Sequence, residues 1–416
     1  MHTYVSGFDG TDRGMRPLPC LTWPCDAARL LARKQENMSQ RSILVVGGGI
    51  GGLSAAIALR QAGNLVTVIE KQPDAHSSVY GVGIIQPANA LRALDAIGCA
   101  TACLDSGYSA AAWGSMYDVD GNFLRDMPGT LIPDSDFPPM NGVTRPRLHE
   151  ILTSRALEVG VHVRYSMTFA ALEPHDDGVT VVFSDETSET YDVVVGADGV
   201  RSQVRRYVLP TELTPYYIGQ SAYRVNIPRE PEIDRIVLQA SAHGMAGFVP
   251  IGPDLAYFFF NAEMARDARP RQEDLVEALM AHLAPFGGLT GRVRDAHISR
   301  AKPEDIVLRP EESLIAPGPW HKGRIVLIGD AVHAVTPHLG QGAAQAIEDG
   351  VVLAESLSVR ENVEDAFIAY TDRRYDRCKL VVDTCLAIAE WEKGLRPDFD
   401  NVSATNHVLK VLAEPF

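Results

Sequence analysis

Residues 43–70 constrain the fold of this chain more than any other stretch. A short apolar run, 43–46, ends in Gly47, Gly49 and Gly52. An Ala/Leu-rich helical pattern follows, then a β-rich run at 65–69 and an acid, Glu70. The order is strand, glycine turn, helix, strand, acid. In such a unit the first glycine permits a tight turn and the second lets the backbone approach a pyrophosphate. The third lets helix and strand pack closely. The helix start then offers free N–H groups and a positive dipole end to phosphates. Glu70 stands 18 residues past Gly52, where a carboxylate can accept hydrogen bonds from a ribose. A lone G-x-G-x-x-G is a weak signal; the strands, helix and acid around this one make it strong.

The chain has 416 residues, enough for two subdomains with buried cores. Hydrophobic residues make up 46% and charged residues 22%, which fits a globular protein. No run of eighteen apolar residues occurs, so no membrane span is expected. A net charge of −15 disfavours nucleic acid and anionic membranes as partners. Cys20, Cys25, Cys99, Cys103, Cys378 and Cys385 form no C-x-x-C pair, and no histidines sit at zinc spacing. No metal site is expected, and scattered thiols point to a reducing cytoplasm. Residues 1–40 mix Gly, Pro, Asp, Arg and two Cys without period and read as an extension outside the chemistry. The rival reading is a segment that packs on the surface or on a partner chain.

Further along, strand and helix patterns alternate, then β-rich segments dominate. A helix is expected at 89–97, two strands around the Asp120–Gly121 turn, a helix at 147–159 and a β meander at 162–189. Residues 192–206 repeat the buried-strand-to-turn theme as D-V-V-V-G-A-D-G, and at least three β runs fill 216–262. A helix is expected at 272–284, strand character at 298–308 and a long helix at 363–393. Residues 324–349 carry a third turn, Gly329-Asp330, followed by Pro337, Gly340-Gln341-Gly342 and a helix. The three turns are far apart in sequence. They serve one ligand only if the intervening segments loop out from a common domain.

With its three motifs in order, the chain resembles the group A flavoprotein monooxygenases of the para-hydroxybenzoate hydroxylase type over about 41–393. The resemblance rests on Gly47, Gly49 and Gly52 with Glu70, on Gly196-Ala197-Asp198-Gly199, and on Gly329-Asp330. It implies an α/β fold: a Rossmann-like FAD/NAD(P)-binding domain (41–107, 142–215, 312–375), an inserted β-sheet substrate domain (108–141, 216–311) and a C-terminal helical segment (376–416). It implies FAD, with NAD(P)H and O₂ as co-substrates and a flavin C4a-hydroperoxide as the hydroxylating species. Glu70, with Lys71 beside it, is expected at the adenosine ribose and Gly83 along the cofactor. Arg145 is expected at the ribityl–phosphate region and Asp330 at the ribityl. Pro337, Gly340, Gln341, Gly342 and Ala343 are expected near the isoalloxazine. Asp198 matches a residue linked to FAD and NAD(P)H binding, and its alternative is a turn former. One departure is the sequence Ser77-Ser78-Val79-Tyr80 before Gly81, where many relatives carry an Arg. It leaves NADH and NADPH equally open.

The implied reaction is hydroxylation of a small phenol, aromatic acid or hydroxypyridine. His338 is a candidate to contact or deprotonate that substrate; a loop His bonded to backbone is its plainer alternative. Tyr223 and Arg224 share the first strand of the inserted domain, and Arg224 is a candidate for a carboxylate or the flavin edge. Phe258 and Phe260 read first as core. His333 reads as structural. The alternatives are the same fold acting on a non-phenolic substrate, by urate-type hydroxylation, epoxidation or isoprenoid reduction, and a non-catalytic binder. A monomer or homodimer is expected.

Overall fold

Strand Ser42–Val46 is apolar after its first residue, and Ile43, Leu44 and Val45 are fully buried. A parallel strand covered on both faces needs such a continuous apolar run. It lies between Leu65–Ile69 and Val193–Gly196, parallel to both, with Val46 opposite Ile69 on one side and Gly196 on the other. Ile325–Leu327 pairs in parallel with Val193–Gly196, placing Leu327 opposite Gly196. His321–Lys322 and His162–Arg164 complete the six-stranded sheet at its two edges. The strands that lead into the three turns are therefore adjacent, and the turns open at the same, carboxyl-terminal edge of the sheet.

This computed structural model describes residues 40–416 except 76, 78–81, 128, 134, 243 and 269. Residues 1–39 of the expected extension, and Ser78, Val79 and Tyr80 of the departure, lie outside the described residues. Residues 40–416 form one compact unit.

Helix Ile50–Gln61 follows the first glycine turn and packs on helix Gly342–Ser358. Small residues set their approach: a Cβ on Gly350 would lie 2.7 Å from the Ala55 backbone. The meander appears as antiparallel strands Phe169–Pro174, Val179–Phe183 and Ser188–Tyr191. A seven-stranded sheet runs Val307–Ser313, Tyr216–Pro228, Leu255–Glu263, Gly244–Pro250, Ile236–Ser241, Gly114–Tyr117, Phe123–Met127. The last two pair antiparallel across the expected Asp120–Gly121 turn.

One face of this sheet packs on helices Leu275–Leu283 and Gly288–Ala296 through Tyr223, Phe258, Phe260, Leu279 and Phe286. The other face carries Ala222, Arg224, Tyr257, Phe259 and Asn261. Strand pairing places Arg224 opposite Phe259 and Ala222 opposite Asn261, so these residues share a side.

Some elements differ from expectation. Residues 298–308 are mostly not strand: 3₁₀ turns occupy Ile298–Arg300 and Pro303–Asp305, and the strand begins at Val307. Pro303 has no N–H for a ladder and fixes its own φ, which suits a helical first turn. The helix expected from 147 starts at Arg145, where the Thr144 hydroxyl accepts from the Arg147 N–H. The boundary expected at 375/376 falls inside one continuous helix, Val363–Glu392, capped by the Asn362 side chain. In the expected C-terminal helical segment, Asn401–Ala413 is a helix that buries Val408, Leu409 and Leu412.

Candidate active site

The first glycines serve three different physical needs. Gly47 has φ +110°, and a Cβ there would meet the Ala197 carbonyl at 2.4 Å. A Cβ on Gly52 would sit 1.9 Å from the Gly47 carbonyl, so helix and turn touch backbone to backbone. A Cβ on Gly49 would meet no protein atom within 4 Å. Gly49 faces a cavity of about 450 Å³, a size typical of small-molecule sites.

Gly51, Ala197, Gly199, Gly329, Asp330, Gly342 and Ala343 line the same cavity, so the three turns converge on one space. Two helix N-termini, at Ile50 and Gly342, open onto it, which suits an anionic ligand. Arg145 and Asp330 present their surface to this cleft. The surrounding protein still desolvates both. Burial and then Arg224 pull the Arg145 pKa down, against Asp330. Burial pushes Asp330 up, opposed by His333 and Arg145. Gly83 lines the cavity, and a Cβ on it would collide with Tyr257 at 2.6 Å. Pro337, His338 and Gly340 line it from the following loop.

Other expected residues point elsewhere. Glu70 uses its carboxylate on backbone: Gly48 N–H donates to Oε2 at 2.8 Å and Gln72 N–H to Oε1 at 2.9 Å. It is not a cavity residue, and Lys71 is exposed in the bend after it. Asp198 Oδ2 accepts from the Gln203 and Val204 N–H groups, the turn-forming alternative, while Oδ1 is buried without a partner. The Gln341 side chain turns inward and exchanges hydrogen bonds with Asn89. Tyr223 is on the wrong side of its strand for a catalytic role. It is fully buried against the helices, with its ring 5.6 Å from His282. Arg224, one residue on, faces the cavity, and its Nε has no hydrogen-bond partner.

His338 has a wholly buried side chain. Its Nδ1 lies 2.8 Å from the Thr336 hydroxyl, and its Nε2 lies 3.4 Å from Glu392 and 3.7 Å from Glu311. Burial alone would lower its pKa, but the two carboxylates outweigh burial and raise it. The acid pair thus favours the protonated form of His338. Burial raises the Glu311 pKa, with His338 opposing.

The rest of the cavity wall is apolar and aromatic: Trp113, Met127, Met245, Tyr257 and Phe259, with Ile236 and Leu238. Sequence reasoning missed these residues and Asn261, Asn401, Thr405 and Glu392. In A-Y-F-F-F the alternation was visible but its facing was not, and Glu392 had no motif around it.

His333, Asp349 and Cys378 also converge in the core. His333 Nε2 is 2.6 Å from Asp349 Oδ2, which also accepts from the Gly329 N–H; Arg374 donates to Oδ1 and lies 3.5 Å from the Cys378 sulfur. With a guanidinium already seated there, the group is a structural lock on the Gly329 turn. A bound cation would face its repulsion.

The glycine cradle, the open space before Gly49, the neighbouring charges of Arg145 and Asp330 and the Arg224 guanidinium, whose Nε has no hydrogen-bond partner, fit a dinucleotide with a planar head. A family model described as the FAD binding domain matches residues 40–385. The chain belongs to this family, the FAD-dependent monooxygenases. This monooxygenase is 32% identical over 349 residues to the 2-heptyl-3-hydroxy-4(1H)-quinolone synthase of Pseudomonas aeruginosa, covering 82% of this chain and 86% of that one. It is 32% identical over 356 residues to the 6-hydroxynicotinate 3-monooxygenase of Pseudomonas fluorescens, covering 82% and 89%. Its fold is similar to that of Klebsiella pneumoniae HpxO, solved with FAD and uric acid, with a TM-score of 0.75 at 22% identity over 92% and 94% of the two chains. Among the described residues no helix is long and apolar enough to cross a membrane.

Proposed function

We propose that this monooxygenase hydroxylates an uncharged aromatic or heteroaromatic ring of the phenol, hydroxypyridine or quinolone type, using NAD(P)H and O₂. The carrying observation is the cavity beyond the glycine cradle. Its apolar, aromatic wall ends in a compact polar group of Arg224, Asn261, His338 and Glu392. The named activities of the two relatives support a ring of this type.

The residues divide the work. The turns at Gly47–Gly52, Gly196–Gly199 and Gly329–Asp330 hold the FAD, with Arg145 and Asp330 toward its ribityl chain and Glu70 and Asp198 bracing the turns. FAD, when bound, supplies hydride acceptance and O₂ activation. The N-terminus of helix Gly342–Ser358 places positive dipole at the ring end of the cradle. Trp113, Tyr257, Phe259, Met127 and Met245 exclude water and seat the substrate ring. Arg224 offers a donor to an oxo group on that ring. A cytoplasmic setting is supported by four buried free thiols, Cys99, Cys103, Cys378 and Cys385. The protein is read as a monomer or homodimer.

The test uses FAD-loaded protein with NADH or NADPH and a panel of hydroxybenzoates, hydroxypyridines, hydroxyquinolines and purines. A neutral hydroxylated ring is expected to raise nicotinamide oxidation severalfold, with matching O₂ uptake and a hydroxylated product. Stimulation by no ring, with FAD firmly bound, contradicts the proposal.

A further inference from the structure

Glu392 is the last residue of a 30-residue helix. An acid there faces the negative end of the helix dipole, and no basic residue occupies the last turn to offset it. The helix has no use for a carboxylate at this place. The site around it does hold one, and holds it in a fixed orientation.

Gln220 Nε2 donates to Glu392 Oε2 at 3.1 Å, Asn261 Nδ2 donates to the same oxygen at 3.2 Å, and His338 Nε2 lies 3.4 Å from it. All three contacts fall on Oε2. Oε1 has no hydrogen-bond partner among the described residues, and Glu392 lines the cavity. Of the two carboxylates that line it, Asp330 stands beside Gly329 and Arg145 in the cradle, leaving Glu392 for the aromatic end. His338, the candidate base in the sequence, has Nδ1 bonded to Thr336 and turns Nε2 toward the acid pair, at 3.4 Å from Glu392 and 3.7 Å from Glu311, without a hydrogen bond. Lys393, the next residue, is tied to the Ile218 carbonyl at 2.6 Å and does not neutralise Oε1 directly. Glu311 sits where the strands Tyr216–Pro228 and Val307–Ser313 slip register, with both oxygens buried and without hydrogen bonds. Such irregularities often re-aim side chains beside active sites.

We propose that Glu392 Oε1 is the acceptor for the ring O–H or N–H of the substrate, and that His338 and Glu311 position it. The idea rests on the hydroxylase reading above. As the ring carbon bonds to one oxygen atom of O₂, the O–O bond breaks and the other atom leaves as water, NAD(P)H having supplied the two electrons. The O–H or N–H bond of the substrate breaks, its electron pair moves into the ring, and the proton passes to Oε1. Loss of the ring C–H proton then restores the aromatic ring, and the proton on Oε1 leaves with product release. Gln220 and Asn261 keep Oε2 hydrogen-bonded and His338 faces the same oxygen, so Oε1 remains the free acceptor.

The test uses the FAD-loaded full chain with 4-nitrophenol as probe, whose phenol and phenolate forms have distinct absorption. Wild type is expected to bind the phenol form at least tenfold more tightly than the phenolate, because the O–H donates to a carboxylate that repels the anion. In Glu392→Gln that preference should collapse or reverse, since Arg224 and His338 then face the anion alone, while Glu392→Asp should restore part of it. FAD content and melting temperature report folding of each variant. A wild-type preference for phenolate overturns the role without recourse to any variant. So does an unchanged preference in folded Glu392→Gln. So does FAD-loaded wild type that ignores 4-nitrophenol while other rings stimulate NAD(P)H oxidation; in that case the hydroxylase reading stands. Wild type that takes up no FAD strikes that reading and this one together.

Discussion

Arg374 is fully buried, and it is so because two adjacent acids of helix Gly342–Ser358 meet it: Asp349 at 2.7 Å, and Glu348, which also pairs with Arg377 at 3.0 Å. Asp349 also carries the Gly329 turn and His333. Burial alone would raise the Asp349 pKa, but His333 and Arg374 outweigh it and hold the carboxylate below its ordinary range. Asp349→Asn should cost about 3–5 kcal/mol, because it leaves two buried cations short of a partner. The pH dependence follows from the signs. A depressed carboxylate contributes stability above its unfolded value of about 4, and that contribution is lost as pH falls toward the folded value. His333 is raised well above its ordinary value, so its share is full below about 6.5 and fades only as pH climbs through the raised value. Urea midpoints for wild type and Asp349→Asn should therefore differ most between about pH 4 and neutrality, and converge in acid. None of this pairing was legible in the sequence. It joins side chains 16 and 25 positions apart on three elements, and His333 read only as structural. The same limit applies to His338 and Glu392. The sequence named the histidine because a loop motif surrounded it, whereas the free carboxylate oxygen beside it comes from the far end of a helix with no motif at all.

Elements were more legible than residues, with one systematic gap. The parallel strands Ser42–Val46 and Val193–Gly196 are continuous apolar runs, which only a doubly covered sheet explains. The strand that lines the substrate end alternates, and there the parity was open. Tyr223, Phe258 and Phe260 went to the helix-packed face while Arg224, Tyr257 and Phe259 went to the cavity. A shift of one residue exchanges the two sets, and nothing local to the strand chooses between them. The glycine turn, in contrast, can be tested element against element. Gly52→Ala puts a methyl 1.9 Å from a backbone oxygen that cannot move without breaking the turn. Overpacking of this kind costs about 1–3 kcal/mol, so the variant should unfold at lower denaturant even without cofactor. A denaturant midpoint equal to that of wild type would mean that helix Ile50–Gln61 does not touch its turn this closely.

At the scale of the whole molecule, the separation of the three turns in sequence is undone by strand order. Val46, Gly196 and Leu327 end adjacent strands, so turns nearly three hundred residues apart open onto one edge. Ligands in sheets of this type sit outside the carboxyl ends of the strands. Strand ends were visible in the sequence and their adjacency was an inference from the family resemblance. The enclosing wall was not visible, because it is assembled from the second sheet, the loop at Pro337 and the C-terminal helices. Gly49 offers the most direct test that this shared space is the FAD site. Its backbone is extended, with φ −75° and ψ −176°, and a Cβ added there meets no protein atom within 4 Å. Asp is among the best residues at a helix N-cap, so Gly49→Asp should leave the apoprotein as stable as wild type or more so. Its carboxylate would nonetheless stand where the account seats the pyrophosphate. The measurement is a fluorescence titration of apoprotein with FAD, wild type beside Gly49→Asp. The account predicts one FAD per wild-type chain and loss of binding in the equally stable variant; undiminished FAD affinity in Gly49→Asp would contradict it.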